Sequence, residues 1–118
     1  MTFPKILAPL AVLLLSGSAA MAEVTLINVF EVPPGQRDAA VAAWETARDF
    51  LQEQPGYIST ALHGSLDPQA RFSLINIAHW ESPAHFADAI AAMRAAGAFP
   101  PVEGVVPNAA LYEVVRAE

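Results

Sequence analysis

Few side chains in this sequence could do chemistry, and the two strongest candidates each sit inside an apolar run. Asn28 lies in the middle of Leu26-Ile27-Asn28-Val29-Phe30. If that stretch is extended, Leu26, Asn28 and Phe30 share a face, so the amide is buried or lines a pocket and needs hydrogen-bond partners. It is the first catalytic candidate, the plainer reading being an amide bonded to a neighbouring strand or loop. His79 closes Leu74-Ile75-Asn76-Ile77-Ala78-His79, next to Trp80. An imidazole titrates near neutrality and suits general-base work, so His79 is the second, against a purely structural hydrogen-bonding role. Trp80, Phe86, Met93, Phe99 and Tyr112 supply surface for a pocket that takes a small aromatic molecule, with core packing as the alternative. His85 and Asp88 are three residues apart but have no further ligand in view, so no metal site is assigned and no cofactor is expected. The chain has no cysteine, which excludes thiol catalysis, Cys-ligated zinc and iron–sulfur chemistry.

The elements that must hold these groups follow from periodicity and punctuation. Val24 to Val32 is rich in β-branched and aromatic residues and ends at Pro33-Pro34-Gly35, which predicts a strand. Gln36 to Gln54 carries Ala40, Trp44, Ala47 and Leu51 at helical spacing and stops at Pro55-Gly56. Tyr57 to Leu66 reads as a second strand, with Ile58, Thr60 and Leu62 on one face and Tyr57, Ser59, Ala61 and His63 on the other. Asp67-Pro68-Gln69 turns the chain into a third strand, Arg71 to Trp80, with Asn76, Ala78 and Trp80 on one face and Ile75, Ile77 and His79 on the other. Ser82 and Pro83 are a helix cap and a first helical residue; that helix buries Phe86, Ala89, Ile90 and Met93 and ends near Gly97. Phe99 to Pro107 has too many prolines for regular structure, and Asn108 to Arg116 holds a fourth strand centred on Leu111 to Val115.

The order β-α-β-β-α-β predicts an α+β, ferredoxin-like domain, a four-stranded antiparallel sheet with two helices on one face. The other face would carry Ile27, Val29, Ile75 and Ile77 uncovered. Apolar patches of that kind are rare on soluble monomers, so two sheets are expected to pack face to face in a homodimer.

Residues 1–22 read as a secretory signal peptide. Lys5 precedes the apolar run Ile6 to Leu15, and Ala20-Met21-Ala22 is a small-residue cleavage pattern. The apolar run is too short to span a bilayer, so export to the periplasm or medium is expected, with no membrane attachment after cleavage. The domain, residues 23–118, then keeps five arginines against twelve carboxylates, net −7. An acidic domain without a basic cluster argues against nucleic-acid partners.

Several pieces in this order resemble the antibiotic biosynthesis monooxygenase (ABM) family, dimeric α/β-barrel proteins. They are Ile27-Asn28-Val29-Phe30-Glu31-Val32 followed by Pro-Gly and a Trp-bearing helix, Gln54-Pro55-Gly56-Tyr57, Leu62-His63 with Asp67-Pro68, Trp80-Glu81-Ser82 with Phe86, and Leu111-Tyr112-Glu113-Val114-Val115. The resemblance implies a cofactor-independent monooxygenase of a small phenolic or quinol-type substrate, in which the deprotonated substrate itself reduces oxygen. Haem-degrading relatives use a first-strand Asn, which Asn28 matches, together with a second-helix Trp and a His ten residues further on. Here those last two positions are Ala89 and Phe99, and Ala89 also stands where quinol-oxidising relatives place a His. The alternatives are therefore a non-catalytic ligand-binding or stress-related dimeric module, and haem binding or degradation.

Overall fold

β-Branched and aromatic runs become strands in this chain, and alanine-rich amphipathic runs become helices. The computed structural model describes residues 22–118, so the expected leader, apart from Ala22, lies outside the described residues. The elements are β1 (Val24–Glu31), α1 (Arg37–Leu51), β2 (Tyr57–Gly64), β3 (Leu74–Trp80), α2 (Pro83–Ala96) and β4 (Val106–Tyr112). One antiparallel sheet forms in the order β2-β3-β1-β4, the expected ferredoxin-like α+β topology. Among the described residues no helix is long and apolar enough to cross a membrane.

Both helices cover the same sheet face. Leu51 of α1 and Phe86 of α2 pack around a buried cluster of Leu26, Ala78, Trp80 and Ala89, and Ala40 of α1 joins a second cluster with Phe30 and Leu74. β3 shows the two-residue period most plainly: Leu74, Asn76, Ala78 and Trp80 are buried, while Ile75, Ile77 and His79 are half-buried. On the uncovered face Ile27 pairs with Ile77 and Val29 with Ile75, and none of the four is fully buried.

The junction from β3 into α2 is fixed by local chemistry. Ser82 is extended, and its Oγ accepts a hydrogen bond from the His85 N–H at 3.2 Å, capping the helix, with Pro83 in the first helical position. The helix closes on Gly97 in the left-handed conformation, whose N–H reaches the Arg94 carbonyl while Ala98 N–H reaches that of Met93. The Glu81 N–H donates to the Gly56 carbonyl at 2.8 Å, which ties this junction to the turn that opens β2.

Three details differ from the expectation. A β-bulge at Ile58 breaks the alternation of β2, so Tyr57 pairs with Trp80 on the covered face and Ile58 is pushed outward. β3 begins at Leu74 rather than Arg71; the preceding residues belong to the turn in which the Asp67 carboxylate accepts from the Gln69 N–H. β4 begins at Val106 and ends at Tyr112, earlier than the Leu111 to Val115 pattern indicates. Pro107 is tolerated because β4 is an edge strand, with one side free of ladder hydrogen bonds. Past Tyr112 the chain leaves the sheet and Val114 and Val115 are exposed.

Gly56 and Gly97 both have positive φ, at 86° and 64°, but a Cβ on Gly56 would overlap the His85 ring, whereas Gly97 faces open space. Gly97→Ala is therefore expected to cost about 1 kcal/mol of left-handed strain alone. Gly56→Ala should cost more, about 2–4 kcal/mol, and His85→Ala in that background, which removes the ring but keeps the overlapping Cβ, should recover only a small part of it. Urea denaturation of the two single variants and the double variant measures the difference.

Candidate functional site

The covered sheet face does not fill the space beneath the helices. Between β1, β2, β3 and the inner faces of α1 and α2 lies a cavity of about 650 Å³, floored by polar side chains and walled by aromatic ones. Ala89 packs directly on Leu26, Ala78 and Trp80, yet the space beside Asn28 stays open. Its volume falls within the usual range for small-molecule sites, roughly 300–1,000 Å³.

The floor is made by strand register. Asn28 of β1 lies directly opposite Asn76 of β3, and Leu62 of β2 opposite Asn76, so Asn28, Asn76 and Thr60 share one face. Asn76 is only 7% exposed. Its Oδ1 accepts a hydrogen bond of 2.7 Å from the Thr60 hydroxyl, and the Asn28 Oδ1 accepts one of 3.0 Å from the backbone N–H of Asn108. Both carbonyl ends are thereby occupied by protein donors. Among the described residues neither Nδ2 donor group of this pair has a protein partner, so the floor presents hydrogen-bond donors to whatever enters.

Trp80 closes one end of the cavity. It is 1% exposed and stands edge-to-face with Tyr57 at 5.6 Å and with Phe86 at 5.8 Å. The bulge in β2 makes the first of these contacts, because it brings Tyr57 onto the Trp80 face. Arg48 of α1 and Arg94 of α2 are the charged lining residues. Arg48 is paired with Asp49 at 2.9 Å and stacks over Trp44 at 5.4 Å. Arg94 is exposed and has no ion-pair partner among the described residues.

Among the described residues no imidazole and no carboxylate lines the cavity. A haem iron would thus find no histidine here, in keeping with Ala89 and Phe99 at the positions that relatives use. The donor set does not fit an iron porphyrin held by imidazole. Among the described residues no group of three or more His, Cys, Asp or Glu could hold a metal ion.

Of the residues singled out from sequence, Asn28, Trp80, Phe86, Met93 and Phe99 meet in this cavity. His79 and Tyr112 do not. Both pair with Thr25 in the ladders, which places them on the uncovered face. His79 Nδ1 lies 3.2 Å from the Thr25 hydroxyl and 3.6 Å from the Glu23 carboxylate, and Tyr112 is 51% exposed. For His79 this is the cost of strand alternation next to Trp80. For Tyr112 it is the register of β4, which puts Leu111 rather than Tyr112 opposite Leu26. His63 lies on the uncovered face opposite Ile75, and His85 is held against Ser82, its Nδ1 2.7 Å from the Ser82 Oγ. Asn76 was not among the sequence candidates although it repeats the signal of Asn28, an amide between buried apolar neighbours, here Leu74 and Ala78. Thr60 likewise stands between Ile58 and Leu62 on one face of β2, whereas Tyr57 carries no such signal, since the bulge alone brings it to the site.

The sequence profile of the family described as antibiotic biosynthesis monooxygenase matches residues 23–96. A candidate monooxygenase from Shewanella loihica PV-4 is 49% identical over 81% of this chain and 97% of its own, with a TM-score of 0.76. The fold is shared with SnoaB, a cofactor-independent oxygenase from Streptomyces nogalater, at 22% identity over 81% of this chain and 96% of that one, TM-score 0.63. It is also shared with a variant of MhuD holding two manganese protoporphyrin IX molecules per active site, at 21% identity over 80% and 97%, TM-score 0.63. No functionally curated protein matches the sequence.

If the donor pair is what a ligand meets, Asn28→Ala and Asn76→Ala should each weaken binding of 1-naphthol about threefold to tenfold, the value of one neutral hydrogen bond. His79→Ala should leave it unchanged. Quenching of tryptophan fluorescence during titration reads all three.

Proposed function

The chain belongs to the antibiotic biosynthesis monooxygenase family, and from that premise we propose that it is a cofactor-free monooxygenase of a small hydroxyaromatic, quinol-type substrate. The observation that carries this reading is the electrostatic one-sidedness of the cavity. Its floor offers amide donors, its charged lining is cationic, and no carboxylate or imidazole is present to act as a base. Such a site stabilises an anion better than it creates one. It suits a phenol or quinol that ionises readily and is bound as its oxide, with Asn28 and Asn76 donating to the oxygen and the ring against Trp80 and Phe86. The exposed Arg94, without an ion-pair partner among the described residues, favours an anionic substrate in an otherwise acidic protein, whereas Arg48 is already paired with Asp49.

Within that reading the substrate supplies the electrons. One electron passes from the aryl oxide to dioxygen, the radical pair joins at a ring carbon that bears hydrogen, the resulting peroxide anion takes up a proton, and the hydroperoxide loses water, with the hydrogen of that carbon, to leave a carbonyl. One oxygen atom ends in the product and the other in water. The protein's part is to desolvate the oxide and fix its orientation toward the oxygen that diffuses in.

Oxygen-electrode measurements with anthrone and 1,4-naphthohydroquinone test the proposal. Uptake above autoxidation is expected from the wild type, with Asn76→Ala lowering kcat/KM about a hundredfold, the typical effect of losing one oxyanion donor. If none of these substrates consumes oxygen and Asn28→Ala leaves binding unchanged, the enzyme reading falls and a non-catalytic binding module takes its place.

The same proposal includes export and a homodimer. The apolar run Ile6 to Leu15 before Ala20-Met21-Ala22 supports the first, and the uncovered isoleucines and valine of β1 and β3 support the second. The protein recovered from its native host should begin at Glu23 by mass spectrometry. At micromolar concentration light scattering should give twice the chain mass, and Ile77→Glu should reduce it to monomer.

A further inference from the structure

A second cavity of about 260 Å³ adjoins the first, and nothing in the proposed chemistry uses it. The two share Phe30, Trp44, Phe99 and Pro107 as common wall, so the smaller lobe lies directly against the larger. The smaller lobe differs in kind. Every side chain that lines it is apolar, the distinctive ones being Ala40 and Ala43 from α1 and Val102 and Val105 from the proline-rich segment between α2 and β4. Apart from the Trp44 indole N–H it offers no side-chain donor, acceptor or charge.

The lobe is a cleft partly open to solvent beneath the exposed Pro100 and Pro101, and it would close if its wall could move inward. The wall is held. Pro100 and Pro101 restrict the backbone of the segment. Its far end is tied down by the Val105 N–H to the Val102 carbonyl at 3.1 Å and by the Gln36 side-chain amide donating to the Glu103 carbonyl at 3.3 Å. Gly104 sits so close to Pro33 that a Cβ there would not fit. The opposite wall is alanine, which has no side chain to swing into the gap.

We infer that this lobe binds a hydrocarbon arm of the substrate, so that the substrate class is an alkyl- or isoprenyl-substituted hydroxyaromatic rather than a bare phenol. The inference rests on the proposal that a hydroxyaromatic occupies the larger lobe. With the oxygen on the Asn28–Asn76 pair, a substituent leads across Phe30, between Trp44 and Phe99, into the smaller lobe. An apolar cavity of roughly 150 Å³ already takes a benzene ring, so the lobe has room for a short branched or linear chain.

Binding is measured anaerobically, by tryptophan quenching, for hydroquinone and its methyl, propyl, pentyl and heptyl derivatives. The wild type should gain about threefold to fourfold in affinity per methylene until the lobe is full, and then level off. Val102→Phe and Val105→Phe, which fill the lobe from the strap without touching the larger one, should abolish the gain and leave hydroquinone itself unaffected. Circular dichroism identifies a variant that fails to fold, and either one suffices. The inference is overturned if pentylhydroquinone binds the wild type no better than hydroquinone, or if a folded filled variant keeps the whole gain. Oxygen uptake separates the two claims. Chain-length-dependent binding without oxidation would remove the monooxygenase and keep the lobe, whereas oxidation indifferent to chain length would do the reverse.

Discussion

The burial of one indole at the end of β3 organises the rest of the domain. Trp80 is too large to be covered by the sheet alone, and it is enclosed only because three neighbouring features converge on it. The bulge at Ile58 turns Tyr57 inward, the Ser82 cap starts α2 at the point that sets Phe86 beside the indole, and the Glu81–Gly56 hydrogen bond holds these two junctions together. Each is a local piece of backbone chemistry, yet all three serve one side chain. The aromatic wall of the cavity is therefore a by-product of how the strand–helix junction closes, and it is as rigid as that junction.

The floor obeys a different constraint. An amide in an apolar sheet face is costly unless both of its ends find partners. Thr60 and the backbone of Asn108 satisfy the carbonyl ends of Asn76 and Asn28, and the amine ends face the cavity. The arrangement converts two side chains able to donate or accept into groups that only donate. Since among the described residues no carboxylate or imidazole shares the lining, the polarity of the cavity is set by the placement of these amides.

Much of this was legible in the sequence. Strand alternation, the Pro-Gly stops and the Ser-Pro helix start are short-range signals, and they place five of the seven residues singled out for the site in one cavity. What was not legible depends on register. The alternation of β3 already sets His79 on the face opposite Trp80, but the face of Tyr112 is decided by pairing, and β4 ends three residues before the end of the Leu111 to Val115 pattern. Tyr57 sits on the face opposite to the one strict alternation indicates, because a single bulged residue reverses the alternation behind it. Asn76 could have been found, since its setting in β3 is that of Asn28 in β1.

The face that α1 turns to the sheet is built from Ala40, Ala43 and Ala47, all buried. Small side chains there leave the cavity its depth while the helix axis stays where it is, so cavity shape and backbone geometry are separately adjustable. A lineage could widen, shorten or divide the space by exchanging single alanines for larger residues, with the sheet, the caps and the donor pair untouched. Diversification of ligand preference on this scaffold would then proceed by small steps through folded intermediates, and two close homologues could differ in what they accept while remaining superimposable in their main chains.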